Sequence, residues 1–329
     1  MKKMTASSRR LFLRRAGLLS GGALLVRYAP GSVFEVPAQA GMLQAATAKV
    51  DPLAAFRAQM GALPIQTTPL DDRIVLLSGP GGNVVVLHGP DGKIVVDSFL
   101  QPAWTRLKTT LDGLDGPPTK TLIDTHWHFD HTDNNANFRG AGAAIVAHAN
   151  TKKRMAESHD LLGMHFDASP AAALPTSTFT QKHALRANGE EISLTYAPPA
   201  HTDSDIFVHY AKANVLHMGD TFFTGMYPFI DASTGGNING MIGAAERGLK
   251  MTNATTKIVP GHGPLADRAA LDAYRTMLTA IRDRVRTQKN AGRTLAEVQA
   301  AKPSAEFDAV WGKGMVQPDN FVALVYNTL

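Results

Sequence analysis

The sequence predicts an α/β fold in which two β-sheets lie between layers of helix, on three observations. Short apolar runs recur between turns rich in Gly and Pro, amphipathic helical stretches follow them, and this strands-then-helix order occurs twice along the chain. The first round opens with β-rich runs at 73–77, 83–87 and 93–96. Gly-Pro-Gly-Gly at 79–82 and Pro-Asp-Gly at 90–92 separate them, which predicts a meander. Pro102 starts a helix whose Trp104, Leu107, Leu111 and Leu114 share one face. Strands at 121–124 and 143–147 follow, and the mostly polar residues 150–180 predict a helix and then a loop. The second round has strands at 191–196, 205–210 and 214–218, a helix over 238–250 with Ile238, Met241, Ile242, Ala245 and Leu249 apolar, and a short strand at 257–259. Leu271, Tyr274, Leu278, Ile281 and Val285 form a helical stripe ended by Gly292. Thr294-x-x-Glu297 is a capping box for one more short helix before Pro303.

The 329 residues are 44% hydrophobic, enough for one large layered domain. There is no cysteine, which excludes disulfides, thiolate nucleophiles and thiolate ligands together, so a metal site has to be built from His, Asp and Glu. The formal charge is +5, but Lys2, Lys3, Arg9, Arg10, Arg14, Arg15 and Arg27 against Glu35 put a net +6 into residues 1–40 and leave −1 for the other 289. A body so near neutrality has no basic stripe, so neither a nuclease nor any other nucleic-acid partner is expected.

The first forty residues read as an address. Ser8-Arg9-Arg10-Leu11-Phe12-Leu13-Arg14 precedes an apolar run over 16–26, and Ala38-Gln39-Ala40 offers a small-x-small cleavage site. At about 1.5 Å per residue that run is too short for a hydrocarbon core of about 30 Å. The segment resembles a twin-arginine (Tat) signal peptide, with Arg14 in the usual Lys position. The resemblance implies export of the folded protein by the Tat machinery to the periplasm or beyond, with no stable membrane anchor after cleavage. Residues 41–70 are then a loosely structured lead-in and residues 71–329 the layered domain with its C-terminal helices.

The strongest signal is Thr125-His126-Trp127-His128-Phe129-Asp130-His131, directly after a strand. In extended chain, side chains two apart point the same way, so His126 and His128 can grip one ion. A turn at Phe129 can swing Asp130 and His131 toward a second. His201 in Ala200-His201-Thr202, Asp220 in Met218-Gly219-Asp220 and His262 in Pro260-Gly261-His262-Gly263 each lie just past a strand, so four strand-end loops can converge on one edge of the sandwich. Imidazole and carboxylate donors suit Zn2+ and related ions. The other seven histidines, His148 and His217 among them, read as structural.

This ordered set resembles the metallo-β-lactamase superfamily: the H-x-H-x-D-H motif is whole, and the later His, Asp and His follow in order over residues 70–265. The resemblance implies a four-layer αββα sandwich holding two divalent ions. His126, His128 and His201 would hold the first, Asp130, His131 and His262 the second, and Asp220 would bridge them. It further implies a dinuclear hydrolase in which two cations acidify a shared water, with Asp130 orienting that water or shuttling its proton. Small-molecule esters, lactones, thioesters or amides are the expected substrates.

The branch is narrowed by departures. β-Lactamases that use a Cys ligand place it where Asp220 stands, and some set a substrate-binding Lys where Phe223 stands here. An Asp at this position resembles glyoxalase II, lactonases and related hydrolases, although a glutathione-binding C-terminal pattern is absent. β-Lactam hydrolysis is the first alternative, and an iron-dependent oxidoreductase of the same fold the second. The aromatic stretch 222–229 reads either as pocket lining, with Tyr227 donating a hydrogen bond to a substrate carbonyl, or as core.

Overall fold

The computed structural model describes residues 51–329, so the leader and its cleavage site lie outside the described residues. Helix α1 (Pro52–Gly61) starts at Asp51, whose carboxylate caps it by accepting from the Leu53 amide. The first half then runs β1 (Gln66–Pro69), β2 (Ile74–Gly79), β3 (Gly81–Leu87), β4 (Lys93–Val96), α2 (Trp104–Asp112), β5 (Thr119–Ile123), α3 (Phe129–Thr132), α4 (Asn135–Gly140), β6 (Ala144–His148) and α5 (Ala149–Met155). A small hairpin, β7 (His159–Leu161) with β8 (Met164–Phe166), precedes β9 (Ser177–Phe179). The second half comprises β10 (Lys182–Ala187), β11 (Glu190–Tyr196), β12 (Ile206–Tyr210), β13 (Val215–His217), α6 (Ile238–Met251), β14 (Lys257–Val259), α7 (Arg268–Asn290), α8 (Leu295–Ala300), α9 (Asp308–Trp311) and α10 (Pro318–Asn327).

Strands β1 to β6 and β9 form a seven-stranded sheet in that order, antiparallel as far as β4 and parallel from β4 to β9. Strands β10 to β14 form a five-stranded sheet whose last pair, β13 and β14, is parallel. Alternation along the strands sorts their side chains onto two faces. Leu76, Val85, Leu87, Ile94, Val96, Ile123 and Val146 meet Ile192, Leu194, Ile206, Val208, Val215 and Val259 between the sheets. Their neighbours Val75, Leu77, Val84, Val86, Val95, Leu122 and Ile145 face the opposite way, onto Leu107 and Leu111 of α2 and Phe138 of α4. Phe207, Leu216 and Ile258 cover the outer face of the second sheet against Met241 and Ala245 of α6 and Leu271, Leu278 and Ile281 of α7. Each sheet is therefore packed on both faces along its interior strands, and the layers run helix, sheet, sheet, helix, as the sequence predicts.

Several local expectations are corrected. From Pro52 onward the lead-in is ordered: it supplies α1 and the edge strand β1, which pairs with β2 from Gln66 opposite Ser78 to Pro69 opposite Val75. Residues 150–180 hold the β7–β8 hairpin and β9 rather than a loop. β1, β9 and β10 are edge strands with exposed or alternating side chains, so they lack the apolar run that marks an interior strand. The capping box at Thr294 and Glu297 is present, but two further helices, α9 and α10, follow it. Among the described residues, no helix is long and apolar enough to cross a membrane.

Strand direction places the chemistry. β4 and β5 are parallel, as are β13 and β14, and β11 runs with β13 because both are antiparallel to β12. Within each sheet the loops after β4 and β5, and those after β11, β13 and β14, thus leave the same edge, and the residues they carry meet there.

Candidate metal centre

Each ligand candidate sits just past a strand end. His126 and His128 follow β5, and the single turn of α3 carries Asp130 and His131. His201 follows β11, Asp220 follows β13 and His262 follows β14. All seven come together. Donor atoms of His126, His128, His201 and Asp220 lie within 4.8 Å of one another, as do those of Asp130, His131 and His262. Asp220 lies between the two groups: Oδ1 is 3.2 Å from His131 Nε2, while Oδ2 is 3.4 Å from His262 Nε2, 3.5 Å from His201 Nε2 and 4.0 Å from His126 Nε2.

Hydrogen bonds on the far side of each ring set the tautomers, and they aim lone pairs inward. Asp97 Oδ2 is 2.7 Å from His131 Nδ1, so a proton sits there and Nε2 is the nitrogen turned toward Asp220 and the site. Thr125 Oγ1 donates to Asp97 Oδ2 at 2.8 Å and is left to accept from His126 Nδ1 at 3.1 Å. The Phe229 carbonyl can only accept, so His201 Nδ1 donates to it at 2.9 Å. Asp231 Oδ2 lies 3.2 Å from His128 Nε2 and holds the proton on that nitrogen. The consequence is that His128 Nδ1 and His201 Nε2, both acceptors, face each other at 2.8 Å. Buried His126 Nε2 and Asp220 Oδ1 have no hydrogen-bond partner. Converging lone pairs and carboxylates in a buried space repel unless a cation lies among them, so these residues fit metal ions.

The electrostatics agree. Burial alone would depress His262, but Asp220 and Asp130 push it up to about 10. Burial would raise Asp130, but His131 and His262 outweigh it and hold the carboxyl down to about 2. His201, whose burial dominates, falls to about 4 and stays neutral at pH 7. The carboxylates of this site thus draw positive charge onto whichever partner can carry it.

Backbone features hold the arrangement. Asp97 has φ 64°, in the left-handed region that costs a non-glycine residue about 1–3 kcal/mol. Its Oδ1 accepts from the Thr125 amide at 2.8 Å, which with the bonds to Thr125 Oγ1 and His131 offsets that cost. Asn83, at the start of β3, spans the sheets: its Nδ2 donates to the carbonyls of Pro260 and Gly263, both at 2.9 Å, and clamps the His262 loop. A Cβ on Gly261 would lie 1.8 Å from Asp220 Oδ1, and one on Gly82 would lie 2.0 Å from His131 Cε1. Both glycines leave room for a ligand side chain.

Sequence reasoning missed Asp97, Thr125, Asn83 and Asp231. Asp97 directly follows the apolar residues 94–96, a setting too common for an acidic residue to mark it without its partner. His148 and His217 are structural as expected: His217 Nε2 donates to the Asn83 carbonyl at 3.2 Å and Nδ1 accepts from the Gly219 amide at 3.0 Å. His148 Nε2 donates to the Thr180 carbonyl at 2.9 Å.

Tyr227 is corrected. Its ring stacks on Phe321 of α10 within the core, and its hydroxyl donates to Asp308 Oδ1 at 2.8 Å, so it is not free to serve a substrate carbonyl. Burial and Asp308 push the phenol up, which keeps it a donor. Tyr227→Phe is expected to lower stability by about 1–2 kcal/mol while leaving turnover unchanged. Thermal denaturation and steady-state rates check this, and a large fall in kcat would return Tyr227 to the site.

A family model described as the metallo-beta-lactamase superfamily matches residues 77–282. The chain is 29% identical over 134 residues to 2,4-dinitroanisole O-demethylase subunit alpha of Nocardioides sp. (strain JS1661), a match spanning 40% of this chain and 38% of that protein. Among solved structures it is similar to a metallo-beta-lactamase from Pontibacter korlensis, with TM-score 0.55, 16% identity and coverage of 66% of this chain and 99% of that one. It is also similar to the stereoselective inverting sec-alkylsulfatase Pisa1 from Pseudomonas sp., with TM-score 0.63, 13% identity and coverage of 80% and 50%. At those identities the two structures speak for the fold alone. The family model spans more than half of the chain and includes every ligand candidate, and the chain belongs to the metallo-beta-lactamase superfamily.

Proposed function

We propose that this protein is a hydrolase dependent on two divalent cations, with Zn2+ the ion its donors suit, acting on an ester, lactone, thioester or amide bond of a small molecule. The observation that carries the reading is the pair of acceptor nitrogens, His128 Nδ1 and His201 Nε2, held 2.8 Å apart by partners that fix both tautomers. His126, His128 and His201 would hold one ion and Asp130, His131 and His262 the other, with Asp220 between them. When bound, such ions supply Lewis acidity and acidify a water at neutral pH.

The protein's own groups do the rest. Asp130 is the partly exposed carboxylate of the set, and its Oδ2 lies 3.1 Å from His262 Nε2. Held down to about 2, it is an acceptor at neutral pH and can orient the attacking water or take its proton. Asp97 and Asp231 keep the rings in register. The leader read in residues 1–40 supports a place outside the cytoplasm, reached through the Tat machinery.

A second reading, cleavage of an activated aryl methyl ether, is favoured by the match to the demethylase subunit. One experiment separates the readings: quantify bound metal, then assay lactones, β-lactams such as nitrocefin, thioesters, phosphodiesters and 2,4-dinitroanisole on the same sample before and after chelation. Activity on one class is expected to vanish with chelator and return with Zn2+. Turnover that survives complete metal removal overturns the proposal, and bound iron with oxygen-dependent turnover moves the protein to the oxidoreductases.

A further inference from the structure

Segment 229–236 does two things at once. The Phe229 carbonyl takes the Nδ1 proton of His201, and the Asp231 carboxylate takes the Nε2 proton of His128, at 2.9 and 3.2 Å. The Asp231 amide also donates to the His201 carbonyl at 2.9 Å, which ties the segment to the backbone of the ring it orients. The turn is moulded on that backbone: a Cβ on Gly236 would lie 2.2 Å from the His201 carbonyl oxygen and 2.8 Å from that of Asp231. Asp231 is itself fixed, with Oδ1 accepting from the Ser233 amide at 3.0 Å and Oδ2 from Thr234 Oγ1 at 2.5 Å. It is buried, at 2% exposure, so its carboxylate has protein partners in place of solvent.

The other group is supported from elsewhere. His131 is held by Asp97, the loop bearing His262 is clamped by Asn83, and the His262 ring stacks on Phe223 at 5.4 Å. Asp97 also reaches the first group, through Thr125 to His126. Asp231 contacts His128 and His201 alone among the seven ligand candidates.

We infer that Asp231 is a positioning residue for one of the two ion positions, so that its loss degrades the His126/His128/His201 position and spares the Asp130/His131/His262 position. The inference rests on the two-cation reading above. Carboxylate partners of ligand imidazoles typically contribute 10- to 100-fold to metal affinity by fixing ring orientation and raising basicity.

Asp231→Asn isolates the effect. The amide keeps the shape and can keep an oxygen on the Ser233 amide, but its NH2 cannot accept the His128 proton. The full chain, stripped of metal, is titrated with cobalt(II) while visible absorption is followed, and bound metal is counted after dialysis. In Asp231→Asn one of two binding steps is expected to weaken about 10- to 100-fold while the other is unchanged. The weakened step is the one that His128→Ala removes, and His262→Ala removes the other. Circular dichroism matched to the unchanged protein separates this from misfolding. Equal weakening of both steps, or of neither, overturns the inference. If the unchanged chain binds no cobalt, the two-cation reading falls and this one with it.

Discussion

Replacing Asp220 with alanine is expected to empty both ion positions and to cut hydrolysis by at least about 10^3-fold, the equivalent of several kcal/mol of lost charge stabilisation. Asp220 is the one carboxylate whose oxygens reach donors of both groups, from 3.2 Å at His131 to 4.0 Å at His126. Burial would raise its carboxyl, but His262 and His131 outweigh it and hold it well below the usual carboxylate range, so it is ionised at neutral pH. Without it, five imidazoles share one remaining carboxylate, Asp130. The single variant therefore does more damage than loss of any one histidine. Metal counting and steady-state rates check the claim, with Asp220→Asn as the variant that keeps side-chain shape and removes only the charge. Retention of two ions per chain, or activity close to that of the unchanged protein, would show that the two groups do not share this residue.

The second large effect comes from a residue with no side chain. Gly261→Ala is expected to abolish hydrolysis and metal binding although no ligand candidate is replaced, because the added methyl would overlap Asp220 Oδ1 at 1.8 Å and crowd the Asp220 amide at 2.7 Å. The backbone has no room to yield: the Gly261 amide donates to the Gly219 carbonyl at 2.7 Å and its carbonyl accepts from the Asn83 amide at 2.7 Å. The carboxylate must leave its place or the loop must shift, and either separates the two groups. Gly243→Ala is the control. It lies on α6 with nothing within 4 Å of the added Cβ, and is expected to raise stability by about 0.5–1 kcal/mol with activity intact. An active, metal-loaded Gly261→Ala protein would mean that Asp220 does not occupy the position described.

Four of the seven ligand candidates were legible because their signal is local and chemical, and His201, Asp220 and His262 joined them through strand-end settings and the family resemblance. H-x-H-x-D-H needs only strand alternation followed by one turn to bring four side chains into two neighbouring groups, and α3 supplies that turn. The outer supports were not legible, because each acts across the chain. Asp97 meets Thr125 from 28 residues away, and Asp231 meets His128 from 103. An acidic residue in a loop is too common to single out until its partner is in place. The aromatic stretch 222–229 shows the same limit. Phe223 stacks on His262 and Phe229 lies 6.2 Å from the His128 ring, whereas Phe222 and Tyr227 pack on Tyr274 and Phe321. Four aromatic rings of similar sequence setting divide evenly between site and core, and nothing in their spacing says which is which.

Residue types and short-range order were enough for the layered fold, the interior strands and the His126–His131 cluster, since apolar periodicity and ligand chemistry are properties of neighbouring residues, while the family resemblance added the three later donors. Which nitrogen of each ring points inward, how Asp220 comes to lie between the groups, and that Tyr227 serves the core were decided by contacts between segments distant in the chain. Those contacts exist only after the sheets have packed, because a tautomer is chosen by the partner on the far side of the ring.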